Sequence, residues 1–440
     1  MGAGFGRTRS AVLAAAVAIV GAACTAHAGP SATRPTSSVA PTTEPAPTVP
    51  AVTTAPLPSP PAPSPTKSAS PVESRRDRRL LVVWIRGELS PASVAAVRAV
   101  PGVAAVASVG EGTLWLTGPR GALGPSAGSG AEIPIDAAAA DPEALGRVLG
   151  RQPWLGALER GEAVLSTTSA ALRRSGTGDR LTFAGGLDAT IGAVATDRSV
   201  GAHEVFLPAA LGARAGIGGA DYLLVRVAKD AGPMQTEAAV ARAVPASPGH
   251  EVRVRSQAQT VYLRQADGVL PPEWTKVYFG EFTAVPGAGT IAIDPAWVRE
   301  HIATERVPIL GDVTCNRALL PPLRAALDAI VAEGLSHLVD PAHYGGCFAE
   351  RLIRGSTSQI SQHGYGAAID INVSTNLLGA EPTQDPRIIA AFRRAGFVWG
   401  GDFLLPDGMH FEYGCPAARA LPEQTQVPEA LGGLALCGGA

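Results

Sequence analysis

The chain reads as an α+β protein in which two folded parts follow a long tether. Three observations lead there. From residue 78 onward, short apolar runs of strand length alternate with helical stretches. The segment before them is Pro, Ser, Thr and Ala with hardly a large apolar side chain, so it cannot bury enough surface to fold. One strand-helix-strand phrase also occurs twice, each copy being one structural unit. At 440 residues and 46% hydrophobic content there is material for two or three domains, although much of that share is alanine. The boundaries expected are 1–28 for an export signal, 29–77 for the disordered linker, 78–268 for a repeat-containing α+β domain and 272–440 for a C-terminal domain.

At the N-terminus Arg7 and Arg9 precede an apolar run from Ala11 to Ala23, too short for a comfortable membrane span and followed by small residues. Two cleavage sites compete. Ala26-His-Ala28 suits an ordinary signal peptidase, whereas Gly21-Ala-Ala-Cys24 resembles a bacterial lipoprotein box in which Cys24 would be acylated. Glycine stands where leucine is usual in that box. The lipoprotein reading is preferred because Cys24 has no other evident use and a tether follows it. The protein is therefore expected in the cell envelope outside the cytoplasm, lipid-anchored to the membrane or otherwise secreted. A net charge of -2 gives no electrostatic case for nucleic acid.

Order is expected to begin near Arg79. Leu80–Ile85 reads as a buried strand, Pro91–Val100 as a helix, and Val103–Val109 with Thr113–Leu116 as two short strands. Leu223–Val227, Glu237–Val244 and Glu251–Val254 repeat that plan. Leu80-Leu-Val recurs as Leu223-Leu-Val, and Arg98-Ala-Val-Pro101 as Arg242-Ala-Val-Pro245. Between the copies lie Gly161–Leu172, Gly178–Phe183 and Ile191–Ala195. This order resembles the extracytoplasmic core domain of MacB/FtsX-type transporter permeases. The resemblance implies a nonenzymatic module for contact with an envelope protein; a plain spacer domain is the alternative.

The C-terminal part begins near Trp274. Phe279–Phe282 and Thr290–Ile293 suggest short strands, and Asp294-Pro295 opens a helix through Ile302, with aspartate as cap and proline in the first turn. Leu323, Leu327, Ile330 and Val331 form an apolar stripe on the next helix, which Gly334 stops. Asp385-Pro386 opens another, with Ile388, Ile389 and Phe392 inward and Gly396 at its end.

The chemistry is concentrated in Ser361-Gln-His363-Gly-Tyr365-Gly366-Ala-Ala368-Ile-Asp370 and, after Trp399-Gly-Gly-Asp402, in Asp407-Gly-Met-His410-Phe-Glu412. Two imidazoles and one carboxylate make three ligands, and a catalytic zinc keeps its fourth position for water. Zinc lowers the pKa of such a water from about 15.7 to around 7, and a nearby carboxylate can carry its proton to the leaving amine. Asp407, three residues before His410, suits that task. S-x-H-x-x-G-x-A-x-D followed by D-x-x-H resembles the zinc D-alanyl-D-alanine carboxypeptidase family, which includes peptidoglycan L-alanyl-D-glutamate endopeptidases and shares its fold with the hedgehog signalling domain. The resemblance covers roughly the last third of the chain. It implies a hedgehog/DD-peptidase-like zinc domain with Zn2+ on His363, Asp370 and His410, and with Asp407 as general base. It also implies an upstream arginine for the substrate's carboxylate or scissile carbonyl. Arg351 and Arg354 are the candidates, although Tyr344-Gly-Gly-Cys-Phe-Ala-Glu-Arg351 departs from the family's S-G-Y-R phrase. Ser361 and Tyr365 are expected to contact the peptide, and Glu412 to support His410.

Besides Cys24 there are four cysteines, all C-terminal, and an even number in an exported protein argues for disulfides. The preferred pairs are Cys315 with Cys347, bridging a helix to the loop before the zinc motif, and Cys415 with Cys437. The expected activity is D-alanyl-D-alanine carboxypeptidase on peptidoglycan stem peptides. The alternatives are a peptidoglycan endopeptidase and a noncatalytic envelope-binding scaffold.

Overall fold

In the computed structural model the described residues are 77–118, 131–245, 251–260, 262–264, 269–354, 356 and 358–414. The export signal, the tether up to residue 76, Cys24, Cys415 and Cys437 lie outside them. The apolar run at the start forms β1 (Leu80–Ile85), and Ser90 then caps α1 (Pro91–Arg98), its hydroxyl accepting from the Ser93 N–H at 3.1 Å. There follow β2 (Val103–Gly118), β3 (Ile133–Ala140), α2 (Pro142–Leu149), α3 (Leu155–Glu159), β4 (Ala163–Ser166), α4 (Thr167–Arg173), β5 (Arg180–Phe183), β6 (Leu187–Ala195), β7 (Val205–Pro208), α5 (Ala209–Arg214), β8 (Tyr222–Val227), α6 (Pro233–Ala243) and β9 (Val252–Ser256).

These nine strands form one sheet in which β2 changes partners midway. Its first half pairs with β8, which pairs with β1, which pairs with β9, all antiparallel. From Val109 it pairs with β3, and at its far end with β5. Through β3, β7, β4, β6 and β5 the strands close back on β2 as a six-stranded ring. Alternate residues of all six strands fill that ring, among them Leu114, Ile135, Leu165, Phe183, Ile191 and Leu207. The two short strands expected over Val103–Val109 and Thr113–Leu116 are thus one. Gly110 and Gly112, which read as a break, stay in the strand because a β-carbon at either would press on Gly218 or Ile217 within 3.3 Å.

The C-terminal part comprises α7 (Pro272–Phe279), β10 (Ala284–Pro286), β11 (Ile291–Ile293), α8 (Pro295–His301), β12 (Ile302–Val307), β13 (Gly311–Asn316), α9 (Leu320–Ala332), β14 (Ala368–Asp370), α10 (Pro386–Arg394), β15 (Phe397–Trp399) and β16 (His410–Tyr413). The strand expected over Phe279–Phe282 is absent. Pro272 seats the first turn of a helix that Phe279 completes, and Gly280 ends it at φ +91, where a side chain would strike His301 and Trp297. Asp294 caps α8 as expected, its carboxylate accepting from the Ala296 N–H at 2.8 Å. On α9 Leu323, Leu327 and Ile330 are buried, but Val331 is 47% exposed and falls off the stripe. Cys315 is bonded to Cys347 and lies on β13, a strand where a helix was expected.

All described residues fall in one compact unit, and the sheet and the C-terminal part meet across buried charge. Arg173 and Glu204 from the sheet side face Lys276 and Glu281. The contacts are Arg173–Glu204 at 2.6 Å, Arg173–Glu281 at 2.7 Å, Lys276–Glu204 at 2.8 Å and Lys276–Glu281 at 3.2 Å.

Candidate metal centre and active site

Strand pairing brings the first two chemical groups together. β16 lies between β14 and β15, and the antiparallel register sets Asp370 directly opposite His410. Ile369 and Phe411, the adjacent residues, point into the core at 0% exposure, so the alternation of a strand turns Asp370 and His410 to the other face.

His363 arrives on a single 3-10 turn, Gln362–Tyr365. Ser361 begins it, its hydroxyl accepting from the His363 N–H at 3.3 Å and its carbonyl from the Gly364 N–H at 2.8 Å. Gly366 ends it at φ +63, where a β-carbon would stand 2.6 Å from the Asn316 backbone nitrogen. The Asn316 amide donates to the Tyr365 carbonyl at 3.1 Å and to that of Phe279 at 2.9 Å. A third turn carries Asp407 and His410: the Asp407 N–H donates to Gly400 O at 2.8 Å, the His410 N–H to Asp407 O at 3.1 Å, and the Trp399 indole to Gly408 O at 2.8 Å. Only glycine fits at position 400, since a β-carbon would lie 2.6 Å from Asp407 O and 3.0 Å from the His410 β-carbon.

The result is a tight trio. His363 Nε2 lies 3.2 Å from His410 Nδ1 and 3.3 Å from Asp370 Oδ1, and His410 Nδ1 lies 2.9 Å from the same oxygen. The outer ring atoms settle which nitrogens face inward. His363 Nδ1 is 2.7 Å from the Cys347 carbonyl, which can only accept, so that nitrogen carries hydrogen and Nε2 offers its lone pair. His410 Nε2 is 3.0 Å from Glu412 Oε2, so Nδ1 is its inward atom. Two nitrogen donors and one carboxylate oxygen within 4.8 Å of one another are a donor set that fits zinc.

The electrostatics also call for positive charge at the centre. Burial alone would lower the His410 imidazole, but its hydrogen bonds to Asp370 and Glu412, with their charges, raise it to about 10. Burial opposes ionisation of Asp370, yet the hydrogen bonds and charges of His363 and His410 hold its carboxyl well below the usual range. Asp407 goes the other way: burial raises it, and the charge of Asp370 adds to that against the opposing influence of His410, His363 and Arg351. Its Oδ1 is buried and has no hydrogen-bond partner, an arrangement expected of a group that meets water or substrate in use.

The segment around this trio matches the sequence profile of a known family over residues 354–413, a span holding His363, Asp370, Asp407 and His410. That family is D-alanyl-D-alanine carboxypeptidase, and this segment is similar to it. No curated protein matches the chain. Among solved structures the chain is similar to the periplasmic region of MacB from Actinobacillus actinomycetemcomitans. That likeness has 8% identity and a TM-score of 0.31, over 41% of this chain and 89% of the other. It is also similar to the extracellular domain of the noncanonic ABC-type transporter YknZ from Gram-positive bacteria, with 14% identity and a TM-score of 0.29 over 40% and 99%. No helix among the described residues is long and apolar enough to cross a membrane.

Around the trio the other expected residues divide. Glu412 is buried and supports His410 as expected, whereas Ser361, expected on the peptide, is 4% exposed and instead caps the His363 turn, because its hydroxyl accepts from the His363 N–H. Arg351 is half-buried and its charge reaches Asp407, whereas Arg354 is exposed. Tyr365 does not face a substrate: it is 4% exposed and packs on Phe282 with ring centres 4.6 Å apart, because the turn that aims His363 at Asp370 and His410 aims its second neighbour into the core. Sequence reasoning missed the close packing of Gly345 on Asp370, next to Tyr344, whose half-buried phenol is pushed up to about 12 by burial and by the charge of Asp370. The signal was the Gly345-Gly346 pair beside it. Gly345 donates to Asp370 O at 2.8 Å, and a β-carbon there would lie 2.8 Å from that of Asp370. The Cys347 carbonyl had no signal, since any residue supplies one.

Proposed function

We propose that the C-terminal part is a zinc-dependent peptidase acting outside the cytoplasm on peptidoglycan stem peptides, as a D-alanyl-D-alanine carboxypeptidase. The observation that carries this reading is the convergence of His363 Nε2, Asp370 Oδ1 and His410 Nδ1 beside a buried Asp407 oxygen without a partner. Zinc held by those three residues would supply acidification of a water and polarisation of the scissile carbonyl. Asp407 takes the proton of the attacking water and delivers it to the departing amine nitrogen, so the peptide bond breaks with no net proton change on the enzyme. Glu412 and the Cys347 carbonyl keep the two imidazoles in the tautomers that aim lone pairs inward. Arg351, a planar fork of donors whose charge reaches Asp407, supports recognition of the carboxylate that ends a stem peptide. The Cys315–Cys347 disulfide supports an oxidising compartment. In this reading Cys24 anchors the chain to the membrane by lipid, and the sheet domain meets an envelope protein.

The test is to incubate the zinc-loaded protein with a defined stem pentapeptide and resolve products by mass spectrometry. Released D-alanine is expected. Cleavage within the stem would make it an endopeptidase, and no cleavage with zinc bound would favour the noncatalytic scaffold.

A further inference from the structure

Both catalytic turns are held from the sheet domain as well as from the peptidase part. Helix α7 lies in the seam. Its Lys276, 2% exposed, bridges Glu204 and Glu281, and Glu204, which immediately precedes β7, also pairs with Arg173. A buried ion pair tolerates little sliding, because displacement leaves a charge unpaired in a medium that cannot solvate it. The residue beside it, Thr275, is also buried and accepts a hydrogen bond from Gln362 Nε2 at 3.3 Å, and Gln362 immediately precedes His363. At the end of the helix the Phe279 carbonyl shares the Asn316 amide with the Tyr365 carbonyl. The path from Glu204 to the His363 turn therefore runs through one helix, with a named polar contact at each end.

The Asp407 turn has its own tie. Arg253, on strand β9, donates from both terminal nitrogens to the Asp402 carbonyl at 3.2 Å. Two residues later Leu404 packs on the sheet's apolar cluster, which includes Leu80 and Val82. The segment Gly400–Asp407 is thus fastened to the sheet between its glycine and its aspartate.

We propose that the sheet domain is a positioning element of the peptidase site. Through α7 it sets His363, and through Arg253 and Leu404 it sets the Asp407 turn, so displacement of the sheet domain would weaken metal binding and slow turnover. What is positioned rests on the zinc-peptidase reading; that the two turns are held rests on the contacts alone. The test uses the full chain and the double variant Glu204→Gln with Lys276→Met, which leaves Arg173 paired with Glu281 and buries no lone charge. Hydrogen exchange of amides 361–367 is expected to quicken about tenfold while α9 is unchanged, and zinc affinity, by chelator competition, to fall about tenfold. With substrate, kcat should fall with KM nearly constant, the mark of misplaced chemistry. Arg253→Ala, at a half-buried position on β9, tests the second tie by faster exchange over 400–407 and lower kcat; Arg253→Lys should recover part of both. Should the double variant fail to fold, the arginine pair decides. Folded variants with unchanged exchange in both turns would make the sheet a passive neighbour and overturn the proposal. A wild-type chain that binds no zinc would count against the zinc reading and leave the exchange comparison to decide the coupling.

Discussion

Asp407 illustrates how much one side chain can be asked to do when its surroundings do the rest. Its backbone is fixed by Gly400 and His410, so replacing the carboxylate with an amide of the same shape leaves the turn in place. Asp407→Asn is therefore expected to keep full zinc content by elemental analysis while kcat falls about a hundred- to ten-thousand-fold. Undiminished turnover would remove it as the base. His363→Ala deletes one of the three proposed ligands and should lose the metal itself, so full occupancy in that variant would refute the ligand set. These residues were legible because their spacing carries chemistry: a polar residue between Ile369 and Ile371 marks a strand face, and D-x-x-H places two groups on one turn. Tyr365 was misread because adjacency to His363 in sequence is not adjacency in space. In a tight turn two residues make more than half a revolution, and the phenol ends against Phe282.

At the scale of elements, the Cys315–Cys347 bond ties β13 to the loop whose carbonyl fixes the His363 tautomer. Closing a loop of 32 residues restricts the unfolded chain by about 3–4 kcal/mol. Replacing both cysteines with alanine should lower stability by roughly that amount in a denaturant titration and weaken zinc binding as well; unchanged zinc affinity would separate the disulfide from the site. The turn into β8 carries a second test. Asp221 accepts from the Glu111 N–H at 2.7 Å, yet burial first, and the charges of Glu111 and Glu88, raise its carboxyl to about 6. A carboxyl raised in the folded state costs stability as pH climbs from its unfolded value through its folded one. Asp221→Asn should therefore gain on the wild type between about pH 4 and pH 6, by about 1 kcal/mol after allowance for its partial exposure, and then level off. A flat difference would show that its environment is better solvated. Element ends were legible where a cap names them, as at Asp294 and Asp385. They were not where packing overrides local preference: Phe279 has an aromatic strand-former's preference but sits in a helix started by Pro272, and Gly110 and Gly112 stay extended because another chain segment needs the space.

At the scale of the whole molecule, the six-stranded ring could not be read from the sequence, since the β3–β7, β4–β7 and β2–β5 pairs join strands distant along the chain and short apolar runs do not name their partners. The same holds for the seam. Arg173, Glu204, Lys276 and Glu281 look like ordinary surface charges in a row of letters, and only tertiary structure shows three of them almost wholly buried. Their burial makes the balance of charge the quantity that matters. With Glu204 in place, two cations face two anions. Glu204→Gln keeps the volume and an acceptor for the Asp136 N–H, but leaves Arg173 and Lys276 to share Glu281. Removing one partner from a buried pair costs about 3–5 kcal/mol, because the remaining charge is neither solvated nor neutralised. Because the seam joins both parts of one compact unit, that loss should shift one cooperative unfolding transition, followed by urea titration with far-UV circular dichroism. Adding Lys276→Met restores neutrality and should recover most of the loss, a coupling that two independent sites would not show. If the two substitutions were additive, or if only one part of the chain melted early, the seam would be an incidental contact between parts that fold separately.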